Sequence, residues 1–143
     1  MAIVTIKNDT CTAQVDTMGA QLLSMRFDDR EYLWQRDERW WGRTSPILFP
    51  IVGNIRNGEA MSEQGPCHMK QHGVARNYEH RMVDVAADGT SVTFELCDSS
   101  ETREQYPYAF RLNMTYALVG EATLAQTFSV TNTGSVTLPF SVG

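Results

Sequence analysis

A ten-residue stretch in the second half of the sequence alternates strictly between large apolar side chains and other side chains. Five apolar residues occupy every second position of this stretch: Phe110, Leu112, Met114, Tyr116 and Leu118. Successive side chains of a β-strand point to opposite faces, so this spacing predicts a strand with one buried face. A strand of this length needs a second β layer to cover its apolar row, and it therefore favours a layered β fold.

The same period recurs along most of the chain, while a helical period is almost absent. Strands are predicted at residues 3–6, 11–15, 21–27, 31–34, 79–87, 91–97, 110–119, 122–131 and 136–142. In 21–27 we expect Leu23, Met25 and Phe27 to share one face. A short helical turn is expected within 98–108, before Pro107. Roughly nine to eleven short strands separated by turn residues predict an all-β fold, either a sandwich or a barrel.

Length, charge and cysteine content narrow the class of protein. A chain of 143 residues fits one domain, and a net charge of −5 argues against a nucleic acid partner. The N-terminus lacks the pattern of a signal peptide, and no apolar run is long enough to span a bilayer. The three cysteines, Cys11, Cys67 and Cys97, are widely spaced and suit a reducing compartment. We therefore expect a cytoplasmic protein with no membrane partner.

The alternation disappears between residues 35 and 70. Long connections in compact domains are usually functional or disordered, and the Trp, Phe, Ile and Pro content of this one argues against disorder. We expect an ordered loop with short strand pieces, lying across one sheet. Residues 40–58 and 71–76 also concentrate indole, guanidinium and imidazole groups. Such groups suit a polar, ring-shaped ligand.

His72 and two arginines are the candidate polar contacts of this loop. His72 lies between Gln71 and Gly73, in a turn that favours exposure, where an imidazole can donate or accept a proton near neutral pH. The alternative is a surface histidine without a role. Arg56 and Arg76 can form bidentate contacts with vicinal hydroxyls or with an anionic group. The alternative for each is a solvated or ion-paired side chain.

The adjacent tryptophans Trp40 and Trp41 are the candidate aromatic contacts. On an extended segment neighbouring side chains point to opposite sides, so we expect at most one indole to face a ligand and the other to join the core. Cys67, His68 and His72 lack the ligand spacing of a zinc site. His80 is expected to be structural. No catalytic triad, phosphate loop or dinucleotide motif is present.

Several motifs together resemble the aldose 1-epimerase (galactose mutarotase-like) family. They are RTSPILFPIVGNIRNG at 43–58, QHGVAR at 71–76, the residues Glu101-Thr, Tyr106-Pro-Tyr and Phe110, and VTNTG with PFSVG within 130–143. The resemblance implies a large antiparallel β-sandwich with a shallow sugar cleft on one sheet. It also implies interconversion of α and β anomers without a cofactor. A carboxylate removes the anomeric hydroxyl proton, while a histidine protonates the ring oxygen and the ring opens.

The resemblance also implies roles for individual residues. His72 matches the family's first histidine, which contacts the sugar and helps to polarise the ring oxygen. Arg56 matches the substrate-binding arginine, and Asn54 and Arg76 belong to the same motifs. Trp41 is the indole that we assign to the substrate. The expected ligand is an aldose, a hexose that is either free or phosphorylated.

The chain departs from the family at its C-terminal end. In family members the Pro-Phe-Ser-Val-Gly strand continues into a second histidine, the principal general acid, and the glutamate base follows much later. Residues 1–143 are therefore expected to form the N-terminal portion of a single domain, with weak activity or none. We expect exposed apolar rows on 110–119 and 122–131, hence a homo-oligomer or the rest of a longer chain. The alternatives are a non-catalytic sugar-binding β-domain and an interaction module.

Overall fold

Ten strands and one six-residue α-helix make up the computed structural model, which describes all residues 1–143 and confirms the all-β prediction. The strands are β1 (Ile3–Lys7), β2 (Cys11–Asp16), β3 (Gln21–Phe27), β4 (Arg30–Glu31), β5 (Glu59–Ser62), β6 (Gly65–His68), β7 (Arg81–Val85), β8 (Ser91–Cys97), β9 (Phe110–Val119) and β10 (Thr123–Asn132). The helix is α1 (Ser100–Gln105), and single 3₁₀ turns occur at Arg56–Gly58 and Ala75–Asn77. No helix is long and apolar enough to cross a membrane.

Two four-stranded antiparallel sheets carry the fold. One has the order β1-β2-β3-β4, and the other has the order β10-β9-β8-β7. β5 and β6 form a separate hairpin within the long loop, which confirms the expectation of strand pieces there. Neighbours in each sheet are also neighbours in sequence. A short turn at Asp88-Gly89 joins β7 to β8, whereas residues 98–109, which include α1, join β8 to β9.

The core lies between the two large sheets. All five alternating apolar residues of β9 are buried, as their spacing predicts, and so are Val92, Phe94 and Leu96 of β8. They share one cluster of buried side chains with residues of the first sheet, among them Ile6 and Val15. Each such side chain contributes about 1.5–3 kcal/mol on burial. The expectation that the row on β9 would be exposed is therefore wrong.

The buried face of β3 differs from the prediction at one position. Val15 of β2 pairs with Leu22, whereas Gln14 pairs with Ser24, so Leu23 is an extra residue in the register. A β-bulge of this kind shifts the alternation by one residue. Leu22 therefore joins the main core in place of Leu23, while Phe27 packs against the core as expected.

Two predicted strands are shorter or absent. The strand predicted at 31–34 ends at Glu31, whose carboxylate accepts hydrogen bonds from the backbone N–H groups of Tyr32 and Leu33 and so holds the chain in a turn. The segment 136–142 forms no regular strand. The side chain of Asn132 accepts a hydrogen bond from the backbone N–H of Gly134 and donates one to the carbonyl of Val136. These bonds hold the chain in a turn after β10, so that it does not continue as a strand.

The helical turn predicted before Pro107 is present as α1. Ser99 is its N-cap: the Ser99 side chain accepts a hydrogen bond from the backbone N–H of Thr102, and the Thr102 hydroxyl oxygen accepts one from the backbone N–H of Ser99. This reciprocal pair is a capping box and satisfies two otherwise unpaired donors. Glu101, Arg103 and Glu104 project outward from α1, as expected of a solvated polar segment.

Candidate functional site

Loop residues 48–50 form backbone hydrogen bonds with the C-terminal segment on one side and with the segment around His72 on the other. On one side the backbone N–H of Leu48 donates to the carbonyl of Gly143 at 2.8 Å, and Gly143 donates back to Leu48 at 3.0 Å. On the other side Phe49 donates to the carbonyl of His72 at 3.3 Å and accepts from Val74 at 2.8 Å. The backbone around His72 is therefore tied to the C-terminal segment through two consecutive loop residues.

Phe49 fixes this arrangement to the core. Its ring is fully buried, with its centroid 4.9 Å from that of Phe110 and 6.3 Å from that of Tyr106 in an edge-to-face contact. Phe140, from the C-terminal segment, packs on its other side at 5.9 Å. Aromatic pairs of this geometry add about 0.5–1.5 kcal/mol beyond their burial. The loop is thus anchored at the residue that binds the His72 backbone.

The turn that presents His72 is tightly constrained. His72 and Gly73 both have left-handed backbone conformations, with φ of 68° and 71°. A Cβ atom on Gly73 would lie 2.7 Å from the carbonyl carbon of Phe49 and closer still to its oxygen. Glycine is therefore required here, because both the conformation and the close backbone approach exclude a side chain.

The ring of His72 is oriented by the backbone of Gly53. The Gly53 N–H donates to Nδ1 of His72 at 2.9 Å, and the His72 N–H donates to the Gly53 carbonyl at 2.8 Å. Because Nδ1 accepts a hydrogen bond, the neutral ring must carry its proton on Nε2. His72 is half-buried, and Nε2 makes no hydrogen bond within the chain. The geometry thus leaves one oriented N–H donor without a protein partner.

Asn54 lies in a shallow polar cleft next to this turn. The cleft has a volume of about 440 Å³. Its walls are formed by Asn54, Asn57, Gly58, Glu59, His68, Met69, Lys70 and Gln71. Asn54 and Gln71 each adjoin one residue of the Gly53–His72 pair in sequence, but His72 itself does not line the cleft. Arg56, exposed in the 3₁₀ turn Arg56–Gly58, makes no ion pair, and its side chain does not line the cleft.

Arg76, the last residue of the QHGVAR segment, is hydrogen-bonded to Gln71, the first residue of that segment. Its Nη2 donates to the carbonyl of Gln71 at 2.6 Å, while its Nε is buried without a hydrogen-bond partner. Burial, together with the positive charge of Arg43 nearby, lowers the pKa of the Arg76 guanidinium. Neither Arg76 nor Arg43 forms an ion pair with a carboxylate of the chain. The positive charge at this position is therefore uncompensated.

Neither Trp40 nor Trp41 is buried, in contrast to the prediction from the sequence. Trp40 and Trp41 are 79% and 48% exposed, so the expectation that one of them joins the core is wrong. Their backbone N–H groups both donate to the carbonyl of Asp37, which makes this segment a turn and removes the alternation assumed for an extended chain. The carbonyl of Trp41 accepts from Nε1 of Trp34 at 2.8 Å. Trp41 makes no hydrogen bond with the residues around His72.

The family model for aldose 1-epimerase matches residues 2–143, nearly the whole chain. This chain belongs to the aldose 1-epimerase family. The plasmid-encoded protein LacX of Lactococcus lactis subsp. lactis is 35% identical over 147 residues, which cover 98% of this chain and 48% of LacX. The chromosomal LacX of that organism gives the same identity and coverage. The chain therefore spans about half the length of the curated relatives it matches.

Solved structures agree with the family membership and the fold. A galactose mutarotase-like protein from Lactobacillus casei superimposes with a TM-score of 0.93 at 32% identity, covering 99% of this chain and 48% of that one. A galactose mutarotase related enzyme from Lactobacillus acidophilus gives a TM-score of 0.87 at 35% identity, covering 92% and 43% respectively. The galactose mutarotase-like sandwich implied by the sequence motifs is thereby confirmed.

His80 stabilises the 3₁₀ turn Ala75–Asn77 from within the core. It is fully buried, its Nε2 lies 3.1 Å from the carbonyl of Ala75, and Ala75 in turn donates to the carbonyl of Phe49. Burial lowers the pKa of His80 to about 4, because the core disfavours the charged ring. The ring is therefore neutral and buttresses the turn that carries Arg76.

Sequence reasoning missed part of the cleft. Gln71 and Lys70 line it, yet neither was singled out. Gln71 is the first residue of the QHGVAR motif and Lys70 immediately precedes it, so the position of these two polar residues was the available signal. The structure brings Asn54, Gln71 and His72 together through the Gly53 contact and attaches Arg76 to Gln71. It does not bring Trp41 into contact with them.

Proposed function

We propose that this chain supplies one wall of a hexose 1-epimerase site, with His72 as the group that acts on the sugar ring oxygen. The observation that carries the proposal is the hydrogen bond from Gly53 to Nδ1 of His72, which leaves the Nε2–H of the neutral ring as a donor without a protein partner. An oriented donor with no partner in the protein suits a ligand oxygen. Membership of the aldose 1-epimerase family supports a sugar as the ligand class.

The proposed reaction opens and recloses the pyranose ring. A carboxylate base takes the proton from the anomeric hydroxyl as a carbonyl forms at C1, and the C1–O5 bond breaks. The electron pair goes to O5, which receives a proton from the acid group while His72 donates its Nε2–H hydrogen bond. Rotation about C1–C2 and closure from the other face reverse these steps and give the other anomer. No redox cofactor is consumed, because no atom changes its net oxidation state.

The polar residues beside His72 are proposed to hold the sugar. Asn54 offers both a donor and an acceptor to hydroxyl groups, and Arg56 offers a fork of donors that matches vicinal oxygens. Both are exposed, and neither is engaged in an ion pair. Trp41 is proposed to stack on the sugar ring, because its indole is partly exposed and aromatic faces suit such contacts.

Residues 1–143 are proposed to be the N-terminal portion of a single mutarotase-like domain, located in the cytoplasm. Relatives about twice as long support this proposal. The base and the second histidine implied by the family resemblance have no counterpart among these residues. Each such group contributes about 10²–10⁴-fold, so the chain alone should be a weak catalyst.

A phosphorylated hexose is a second candidate substrate. Arg76 and Arg43 place two positive charges near each other without a carboxylate partner, and Nε of Arg76 is buried without an acceptor. A phosphate group would supply both the negative charge and the acceptor oxygens. The competing proposal is a non-catalytic sugar-binding domain, which would use the same residues to bind the sugar but would not interconvert its anomers.

The deciding experiment measures anomer exchange by NMR. Purified chain is added to α-glucose, α-galactose and glucose 6-phosphate, and exchange rates are compared with buffer and with two variants. We expect a small rate enhancement that His72→Ala abolishes and that Arg103→Ala leaves intact, because Arg103 is an exposed residue of α1 that does not line the cleft. An enhancement unaffected by His72→Ala would remove the catalytic role. Chemical-shift changes on sugar binding without any enhancement would favour the binding domain.

A further inference from the structure

The backbone at Val52 and Gly53 is held on both sides by hydrogen bonds. Before it, the Val52 N–H donates to Oγ of Ser141 at 3.1 Å, and the Ser141 N–H donates to the carbonyl of Pro50 at 2.9 Å. After it, the Gly53 carbonyl accepts from the backbone N–H of His72 at 2.8 Å. The peptide group between Val52 and Gly53 therefore lies between two anchored peptide groups and can rotate without displacing them.

This peptide group makes a single hydrogen bond. Its N–H, from Gly53, donates to Nδ1 of His72 at 2.9 Å, whereas its carbonyl, from Val52, accepts no hydrogen bond within the chain. The Val52 side chain is 52% exposed, so burial does not fix the peptide either. Its orientation is thus decided by the contact with His72 and by the backbone preference of Gly53.

Gly53 has a φ of 96°, which glycine adopts readily and other residues rarely do. Rotating the Val52–Gly53 peptide by about 180° would take this φ from 96° to about −84°, a value that suits every residue type. The same rotation relates type II to type I β-turns, and type II is the form that calls for glycine. Space is not the reason for glycine, because a Cβ on Gly53 would meet nothing within 4 Å.

The two orientations of the peptide require different tautomers of the neutral His72 ring. The observed orientation presents an N–H to Nδ1, which must then be unprotonated, so the proton lies on Nε2. The rotated orientation would present the Val52 carbonyl instead. Because a carbonyl oxygen only accepts, the proton would then have to lie on Nδ1. In that state Nε2 could no longer donate to a ligand oxygen.

We propose that Gly53 is a positioning residue that selects the tautomer of His72: its positive φ keeps an N–H, and not a carbonyl, against Nδ1. The consequence for the sugar rests on the proposed function, in which the Nε2 proton acts on the ring oxygen, but the selection itself is a property of the chain without ligand. Two glycines of the site thus have different reasons. A Cβ on Gly73 would collide with Phe49, whereas Gly53 is needed for its conformation alone.

Nitrogen-15 NMR of the His72 ring tests the proposal at about pH 8, where an imidazole is normally neutral. Gly53→Ala should raise the ratio of Nδ1–H to Nε2–H by about five- to thirtyfold, which corresponds to the usual cost of a positive φ for an L-residue. The nitrogen–nitrogen coupling across the hydrogen bond to Nδ1 should weaken in parallel. Gly53→Asn should give a smaller shift, because asparagine tolerates positive φ better than alanine does.

Two further variants are controls. Gly89→Ala makes the same change in the turn between β7 and β8, at a φ of 73° and with open space around the Cβ, and should leave the ratio unchanged. Ser141→Ala releases the Val52 N–H but keeps glycine at position 53, and it should leave Nε2–H as the major form. An unchanged ratio in both Gly53 variants, or a shift of equal size in Ser141→Ala, would overturn the proposal.

Anomer exchange, measured on the same samples, reports separately on the proposed function. We expect the rate enhancement of Gly53→Ala to fall in proportion to the lost share of Nε2–H. A shifted ratio in a chain that shows no enhancement even without substitution would support tautomer selection and contradict the proposed function. An enhancement that persists while Nδ1–H dominates would contradict the role of the Nε2 proton in that function.

Discussion

Gly53 and His72 are joined by a pair of hydrogen bonds, one to the imidazole Nδ1 at 2.9 Å and one from the His72 backbone at 2.8 Å. The pair fixes the ring orientation and the position of its proton at the same time. A side chain whose rotation and tautomer are set before a ligand arrives loses little entropy on binding. For the proposed chemistry, the hydrogen bonds between Gly53 and His72 therefore matter more than the exposure of His72 does.

The first prediction concerns the tautomer of His72. Nitrogen-15 NMR of the imidazole at neutral pH should show a protonated Nε2 and an unprotonated Nδ1, because the Gly53 N–H occupies Nδ1. His68 is an internal reference, since its Nδ1 lies 3.7 Å from a carboxylate oxygen of Glu59 and receives no backbone N–H. A spectrum showing Nδ1–H for His72 would contradict the proposed direction of its donor.

The second prediction tests the turn that presents His72. Gly73→Ala should lower the free energy of unfolding by about 2–4 kcal/mol, because its φ of 71° is strained for alanine and the new Cβ would meet the Phe49 carbonyl. Gly89→Ala is the matched control, with a similar φ of 73° and open space around the Cβ. It should lose only about 1–2 kcal/mol. Equal losses in urea denaturation would show that the close approach to Phe49 does not matter.

The third prediction is a pH dependence due to His80. Its folded pKa of about 4 lies below the usual value of 6.5, so the unfolded chain binds a proton more readily than the folded chain does. The stability associated with the neutral ring is fully present above pH 6.5 and is lost as the pH falls towards 4, by about 3 kcal/mol.

The measurement for His80 is urea denaturation between pH 7.5 and 4. The carboxylates also contribute to the acid dependence, so the informative quantity is the difference between the chain and His80→Leu. We expect the variant to be less stable at pH 7.5, having lost the contact with Ala75, but less sensitive to acid. Parallel curves for the two proteins would rule out His80 as a source of the dependence.

The fourth prediction separates the two candidate ligands. Arg76→Gln should weaken binding of glucose 6-phosphate about tenfold and change glucose binding little, because it removes an uncompensated positive charge beside Arg43. Arg103→Gln serves as the control, since Arg103 of α1 is paired with the carboxylate of Asp98 at 2.6 Å. Equal losses for both sugars after Arg76→Gln would indicate that the guanidinium acts on hydroxyl groups instead.

Much of the scaffold was accessible from local patterns. The alternation in β9 predicted both the strand and its buried face, and the strands predicted at 79–87 and 91–97 are present as the paired strands β7 and β8. The predictions failed where a side chain of one residue redirected the backbone, as Glu31 does after β4 and Asn132 does after β10. Such capping contacts depend on a particular geometry and leave no periodic signal.

The sequence by itself determined the all-β class, most strand positions, the family and the loop in which the candidate site lies. Period-two alternation marks strands directly, and the motifs around Arg56 and His72 are specific. Only the tertiary structure decided which nitrogen of His72 carries the proton, that Gly73 must lack a side chain, that Leu23 forms a bulge and that both Trp40 and Trp41 are exposed. The physical reason is that each of these depends on contacts between backbones or side chains that local sequence patterns do not encode.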